Sequence, residues 1–192
     1  MIKITRSSGN KNWLLVGMIF ISVIGLPNNL HGSNNDNPTA VIPIVADKVD
    51  IDFTATTLNA ETFHGRSLLG KTVLIDFFAI WCGPCLEAFP VLNKLNEDLK
   101  KENFEVVGVA IYSGTIEDVK DILSNHDPLY NIYIGNDDEI VRKYGVIGFP
   151  TYMLFSPEGK IVKKYVGSRE DFYETVAKDV RDLRNKSILT GK

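Results

Sequence analysis

Cysteine and histidine are scarce in this chain: two of the first and three of the second among 192 residues. A structural zinc site needs about four ligands. His31, His64 and His126 lie far apart with no paired spacing, so zinc is set aside. Two cysteines are also too few for a disulfide-dense secreted scaffold. There is no basic excess: the formal net charge is -3, which gives no electrostatic footprint for nucleic acid. No internal repeat is visible. The one long apolar run, residues 13–26, is shorter than the about 20 residues a spanning helix needs. What remains is the make-up of an ordinary globular protein, 44% apolar and 23% charged, long enough for one domain with additions.

The N-terminus has a pattern of its own. Lys3, Arg6 and Lys11 precede the apolar run, and Pro27 with the polar stretch 28–37 follows it. Basic flank, apolar core and polar exit are the features of an export signal. Residues 1–27 therefore read as a signal peptide or a membrane anchor, and the weak small-x-small pattern at Leu30-His31-Gly32 leaves cleavage and retention both open. Residues 28–49, rich in Asn, Asp and Pro without a period, read as a flexible linker.

Both cysteines fall in one place, Trp81-Cys82-Gly83-Pro84-Cys85, after the apolar run 73–79 and before a segment of helical period. A strand that turns into a helix here puts Cys82 at the helix N-terminus, where free N–H groups and the dipole favour an anion and hence a thiolate. Cys85 follows one turn later on the same face. Pro84 suits the first turn, where its missing N–H would have no partner. A permanent disulfide over so small a loop would constrain the unfolded chain little. The spacing points to a pair that opens and closes.

The run 73–79 is apolar on both parities, as expected of a central strand covered on both faces, yet Asp76 interrupts it. A buried carboxyl tends to keep its proton. It reads either as a proton relay for Cys85 or as a polar group satisfied by backbone or water. Further along, short strands are expected at 51–53 and 61–63, and a helix after Cys85 with a kink at Pro90. A strand is expected at 104–111, a helix at 115–125 capped by Thr115 or Ser113, and a strand at 130–134. Asp137-Asp138-Glu139 open a helix to Tyr144, where acids are more often a capping feature than a metal site. Pro150, bracketed by glycines before the strand 151–155, suits a tight turn and a cis bond. A hairpin to 160–166 and a final helix over 169–185 complete the pattern.

The ordered set Asp76, Trp81-Cys82-Gly83-Pro84-Cys85, Pro90, Phe149-Pro150-Thr151 and Gly167 resembles thioredoxin-fold proteins over residues 50–185. The resemblance implies an α/β thioredoxin fold: a mixed central β-sheet flanked by helices, here with an N-terminal hairpin and a central insertion. The domain would span 50–187, followed by a frayed tail at 188–192. The longer segment between Ile111 and Gly145 and the export pattern resemble the membrane-associated ResA/TlpA-type thiol-disulfide oxidoreductases, many of which serve cytochrome c maturation. That resemblance implies Cys82 as attacking thiolate, Cys85 as resolving thiol in a reversible disulfide, Pro150 as the cis proline facing them and Asp76 as the relay acid. Trp81, Gly83, Pro84 and Phe149 would contact substrate. No lysine stands on 104–111 to partner Asp76, and Phe149 is bulky where smaller residues are frequent.

The expected activity is reduction of protein disulfides outside the cytoplasm, with no cofactor and no metal. The partners implied are disulfide-bearing proteins and an upstream thiol reductant, such as a membrane electron donor; membrane association would run through the N-terminus. Two alternatives stand beside it: a disulfide oxidase or isomerase using the same pair, and a non-catalytic metal carrier or binding module.

Overall fold

The computed structural model describes residues 51–189. The expected export segment 1–27, the linker 28–49 and residues 190–192 lie outside the described residues. In chain order the elements are β1 (Thr54–Thr57), β2 (Thr62–His64), β3 (Thr72–Phe78), α1 (Gly83–Glu87), α2 (Phe89–Asp98), β4 (Phe104–Ala110), α3 (Ile116–Leu123), β5 (Asn131–Gly135), α4 (Asp137–Tyr144), β6 (Thr151–Phe155), β7 (Ile161–Val166) and α5 (Phe172–Leu189). The strands form a single mixed sheet in the order β2-β1-β5-β4-β3-β6-β7. β3, β4 and β5 run parallel, while β1 and β6 pair antiparallel on either side of them.

All seven residues of β3 are buried, because helices cover both faces of the sheet at that strand. Period-two alternation divides them. Leu74 and Phe78 enter one apolar layer with Cys82, Cys85, Phe89, Leu92, Val119, Val176 and Val180. Val73, Ile75 and Phe77 face the opposite layer, with Phe53, Ile140 and Tyr144. Asp76 shares the parity of Leu74 and Phe78, so its carboxyl belongs to the layer that holds the two cysteines.

The strand expected at 51–53 is corrected. Ile51 and Phe53 are buried but unpaired in the sheet, and the hairpin forms from β1 and β2 instead, in the register Thr54–His64 to Thr56–Thr62. Ile51 N–H donates to the Gly159 carbonyl (2.9 Å) and Gly65 N–H to the Phe53 carbonyl (2.8 Å), which uses this backbone outside any ladder. Pro90 acts as its chemistry requires. With no N–H to give, it splits the helix at Ala88 into α1 and α2, and the bond from Leu92 N–H to the Ala88 carbonyl (3.1 Å) resumes the pattern. Of the two candidate caps for α3 it is Thr115 that serves, in a reciprocal capping box with Asp118. α4 ends at Gly145, whose φ of 58° is the left-handed stop that glycine takes without strain. α5 continues to Leu189, past the expected end at 185.

Candidate active site

β3 ends at Phe78, and the chain turns through Ala79, Ile80 and Trp81 into α1. Cys82 is the N-cap residue, with extended backbone, and its carbonyl accepts from Cys85 N–H (3.0 Å) and Leu86 N–H (3.2 Å). Pro84 occupies the first turn. The two sulfurs are joined, Sγ–Sγ 2.10 Å, with the Cα atoms 5.3 Å apart. They are not equivalent. Cys82 is 7% exposed and borders a surface groove, whereas Cys85 is 0% exposed and packs into the apolar layer.

The groove has a volume of about 610 Å³ and is lined by Trp81, Cys82, Gly83, Pro84, Tyr112 and Phe149, among others. Trp81 is 67% exposed and stands edge-on to Phe149, ring centroids 5.8 Å apart. Its indole N–H donates to the Tyr112 carbonyl at 2.9 Å, which fixes one wall to the other. The Phe149–Pro150 peptide bond is cis, and the buried Pro150 carbonyl accepts from Gly167 N–H (2.8 Å). The loop before it is held from below: Lys164, itself buried, donates from Nζ to the Gly145 carbonyl (2.5 Å) at the end of α4.

The structure thus gathers five of the expected site residues on the groove: Trp81, Cys82, Gly83, Pro84 and Phe149. Pro150 follows directly in the buried backbone. Cys85 lies behind the pair's open face. Asp76 is absent from the groove; it is 1% exposed, one layer further in, and neither carboxyl oxygen meets a hydrogen-bonding group of the protein. Burial alone pushes its pKa well above the ordinary carboxylate range.

Three contributors were not legible beforehand. Tyr112, at a backbone φ of 50°, is pinned by Asp137, whose carboxylate accepts from its N–H at 2.8 Å. Partial desolvation of the half-exposed Tyr112 phenol, reinforced by Asp138 and then Asp137, raises its pKa. Ser113 is buried; its hydroxyl accepts from Ile80 N–H (3.2 Å) and donates to the Ile111 carbonyl (3.0 Å), tying the turn before the cysteines to the end of β4. Ile147, 80% exposed, forms an apolar lip of the groove. Each depends on contacts between segments distant in the chain, which no local pattern announces. The acids 137–139 fall where α4 begins, and among the described residues no group of three or more His, Cys, Asp or Glu is placed to hold a metal ion.

Comparison with known proteins agrees with this geometry. The Redoxin family model matches residues 44–182. The thiol-disulfide oxidoreductase ResA of Bacillus thuringiensis subsp. konkukian (strain 97-27) is 28% identical over 118 residues, covering 62% of this chain and 68% of that protein. Among solved structures, the thioredoxin domain of a thiol-disulfide oxidoreductase from Bacteroides vulgatus superposes with a TM-score of 0.64 at 29% identity, covering 71% of this chain and 99% of that one. A thiol:disulfide interchange protein from Bacteroides sp. gives a TM-score of 0.64 at 29% identity, over 73% and 93% of the two chains.

Proposed function

The chain belongs to the Redoxin family and is a thioredoxin-fold thiol-disulfide oxidoreductase, and on that premise we propose that it reduces protein disulfides through Cys82 and Cys85. The observation that carries this reading is the unequal burial of the two sulfurs: one opens on an apolar groove, the other is sealed behind it.

In the reduced protein the Cys82 thiolate attacks one sulfur of a substrate disulfide, and the other substrate sulfur leaves as a thiolate. The Cys85 thiol then loses its proton and attacks Cys82 Sγ. The second substrate sulfur departs, and the Cys82–Cys85 disulfide forms. Two electrons pass from the protein to the substrate, and a thiol reductant must restore the pair. Asp76, in the same buried layer as Cys85, accepts the resolving thiol's proton when it is in its ionised form, so this step speeds up as pH rises toward its raised pKa. Trp81, Gly83, Pro84 and Phe149 hold the substrate segment against Cys82, with Pro150 setting the backbone beside it.

We place this activity outside the cytoplasm, in the service of cytochrome c maturation or of related extracytoplasmic disulfides. Support comes from the basic and apolar pattern of residues 1–27 and from the similarity to ResA. No helix among the described residues is long and apolar enough to cross a membrane, so attachment would run through the N-terminal segment. Fusion of residues 1–49 to a reporter active only after export tests the location; a silent reporter contradicts it.

Reduction of insulin tests the chemistry. The wild type turns over and Cys82→Ser does not; equal rates would contradict the assignment. Cys85→Ser accumulates a mixed disulfide with its substrates, visible as a band lost on adding a thiol, and those trapped proteins identify the partners.

A further inference from the structure

The Asp76 carboxyl oxygens and the Tyr130 hydroxyl are buried, and none of them meets a hydrogen-bonding group of the protein. Sheet register brings the two side chains together. Asp76 pairs with Gly108 on β4 and with Tyr152 on β6. A Cβ on Gly108 would stand 2.3 Å from Ile132 Cδ1 and 3.3 Å from both Phe78 Cε1 and Tyr130 Cε2, so Ile132 covers the bare backbone one strand across from Asp76 and the phenol ring packs at its edge. Neighbouring strands are about 4.8 Å apart, and the Asp76 charge acts on the Tyr130 phenol, so the two groups stand within electrostatic reach of each other. Phe89 braces the arrangement, its ring centroid 6.2 Å from that of Tyr130 and 5.5 Å from that of Phe78.

Buried polar atoms without a partner are costly. An internal water typically makes about three bonds to such groups, and three oxygens await them here. We propose that Tyr130 is the positioning residue for Asp76: its hydroxyl hydrogen-bonds to the carboxyl across one enclosed water and so sets the pH at which Asp76 gives up its proton. An ionised carboxylate only accepts hydrogen bonds. A phenolic donor therefore favours the charged form and makes Asp76 a readier base for Cys85. The consequence for turnover rests on the reading of Asp76 given above; the coupling itself does not. The negative charge on Asp76 in turn adds to the burial that raises the Tyr130 pKa. The other titratable groups of this layer are Tyr152 from β6, Tyr165 from β7, Tyr173 at its edge from α5 and, after reduction, the thiols of Cys82 and Cys85; β4 contributes only Gly108 and apolar side chains.

The experiment uses the full chain in its disulfide form, where the cysteines do not titrate. The Asp76 side-chain carboxyl is followed by ¹³C NMR as pH rises, in the wild type and in Tyr130→Phe, which keeps the ring. The variant should titrate higher by ~0.5–1 pH unit, a roughly three- to tenfold change in the ratio of ionised to protonated carboxyl, as expected for one hydrogen bond. An unchanged or lower midpoint overturns the proposal. Should Tyr130→Phe not fold, the Tyr130 ¹³Cζ signal of the wild type serves. It should move with the Asp76 midpoint, and a flat trace overturns the coupling. The pH–rate profile of reduction by Tyr130→Phe should shift the same way. If the carboxyl titration shifts and the rate profile does not, Tyr130 stays coupled to Asp76 while Asp76 falls as the proton acceptor.

Discussion

Asp76 is the residue at which folding and function pull apart. Its burial without a protein partner raises the pKa, so the folded protein holds a proton that the unfolded chain would release. The stability that goes with the protonated form is fully present below the ordinary carboxylate pKa of about 3.9 and is lost as pH rises through the raised folded value. Asp76→Asn, nearly the same shape without a titrating group, should therefore be more stable than the wild type at pH 8, by about 1.4 kcal/mol for each pH unit over which the folded protein holds the proton and the unfolded chain does not. The gap should close toward pH 4. Urea denaturation at the two pH values checks this, and equal midpoints at pH 8 would contradict it. The same variant should slow turnover at neutral pH. Asp76 was legible from the chain because an acid within a run apolar on both parities can only be buried. Its neighbour Tyr130 was not. It reads as a strand residue of the region before β5, and its approach to Asp76 exists only once β4 lies between them with a glycine at 108.

At the scale of elements, local chemistry fixed the boundaries best where it was unambiguous. The β6–β7 turn closes with Ser156 N–H donating to the Lys160 carbonyl and Gly159 N–H to the Ser156 carbonyl, both at 2.8 Å, as Ser-Pro-Glu-Gly implies. The helix after Cys85 breaks beside Pro90 for want of one N–H. Ile51 and Phe53 misled because alternation reports burial, and these side chains are buried under a turn rather than in a ladder. Lys164 carries a further consequence. It lies on β7 yet reaches the carbonyls of Tyr144 (3.3 Å) and Gly145 (2.5 Å), placing a cation at the negative end of α4 just before the loop with Ile147 and Phe149. Lys164→Met should keep the stem and lose these bonds. The expected cost is about 1–2 kcal/mol in denaturant unfolding, with a fall in the rate of protein-disulfide reduction as the loop loosens. A variant as stable and as fast as the wild type would contradict that role.

For the whole molecule, the groove is what distinguishes a protein substrate from a small disulfide. Trp81, Tyr112 and Ile147 are large apolar side chains left exposed around Cys82, and they come from three separate segments. Exposed apolar surface gathered at one place marks a contact surface. The cysteine wall of this groove could be read from the motif. The Tyr112 and Ile147 walls could not, since Tyr112 is set by Asp137, twenty-five positions away. Ile147→Ser should lower kcat/KM for insulin roughly tenfold, in line with losing about 1–2 kcal/mol of apolar contact, and leave reduction of a small aromatic disulfide within about twofold. Equal losses on both substrates would assign Ile147 to the fold instead.

The account stands or falls on the inequality of the two sulfurs. Reduced protein, alkylated with iodoacetamide over a range of pH and read by mass spectrometry peptide by peptide, measures it directly. Cys82 should react first and stay reactive below the ordinary thiol pKa of about 8.5, while Cys85 reacts only slowly until the protein is unfolded. Equal and slow labelling of both at neutral pH would contradict it.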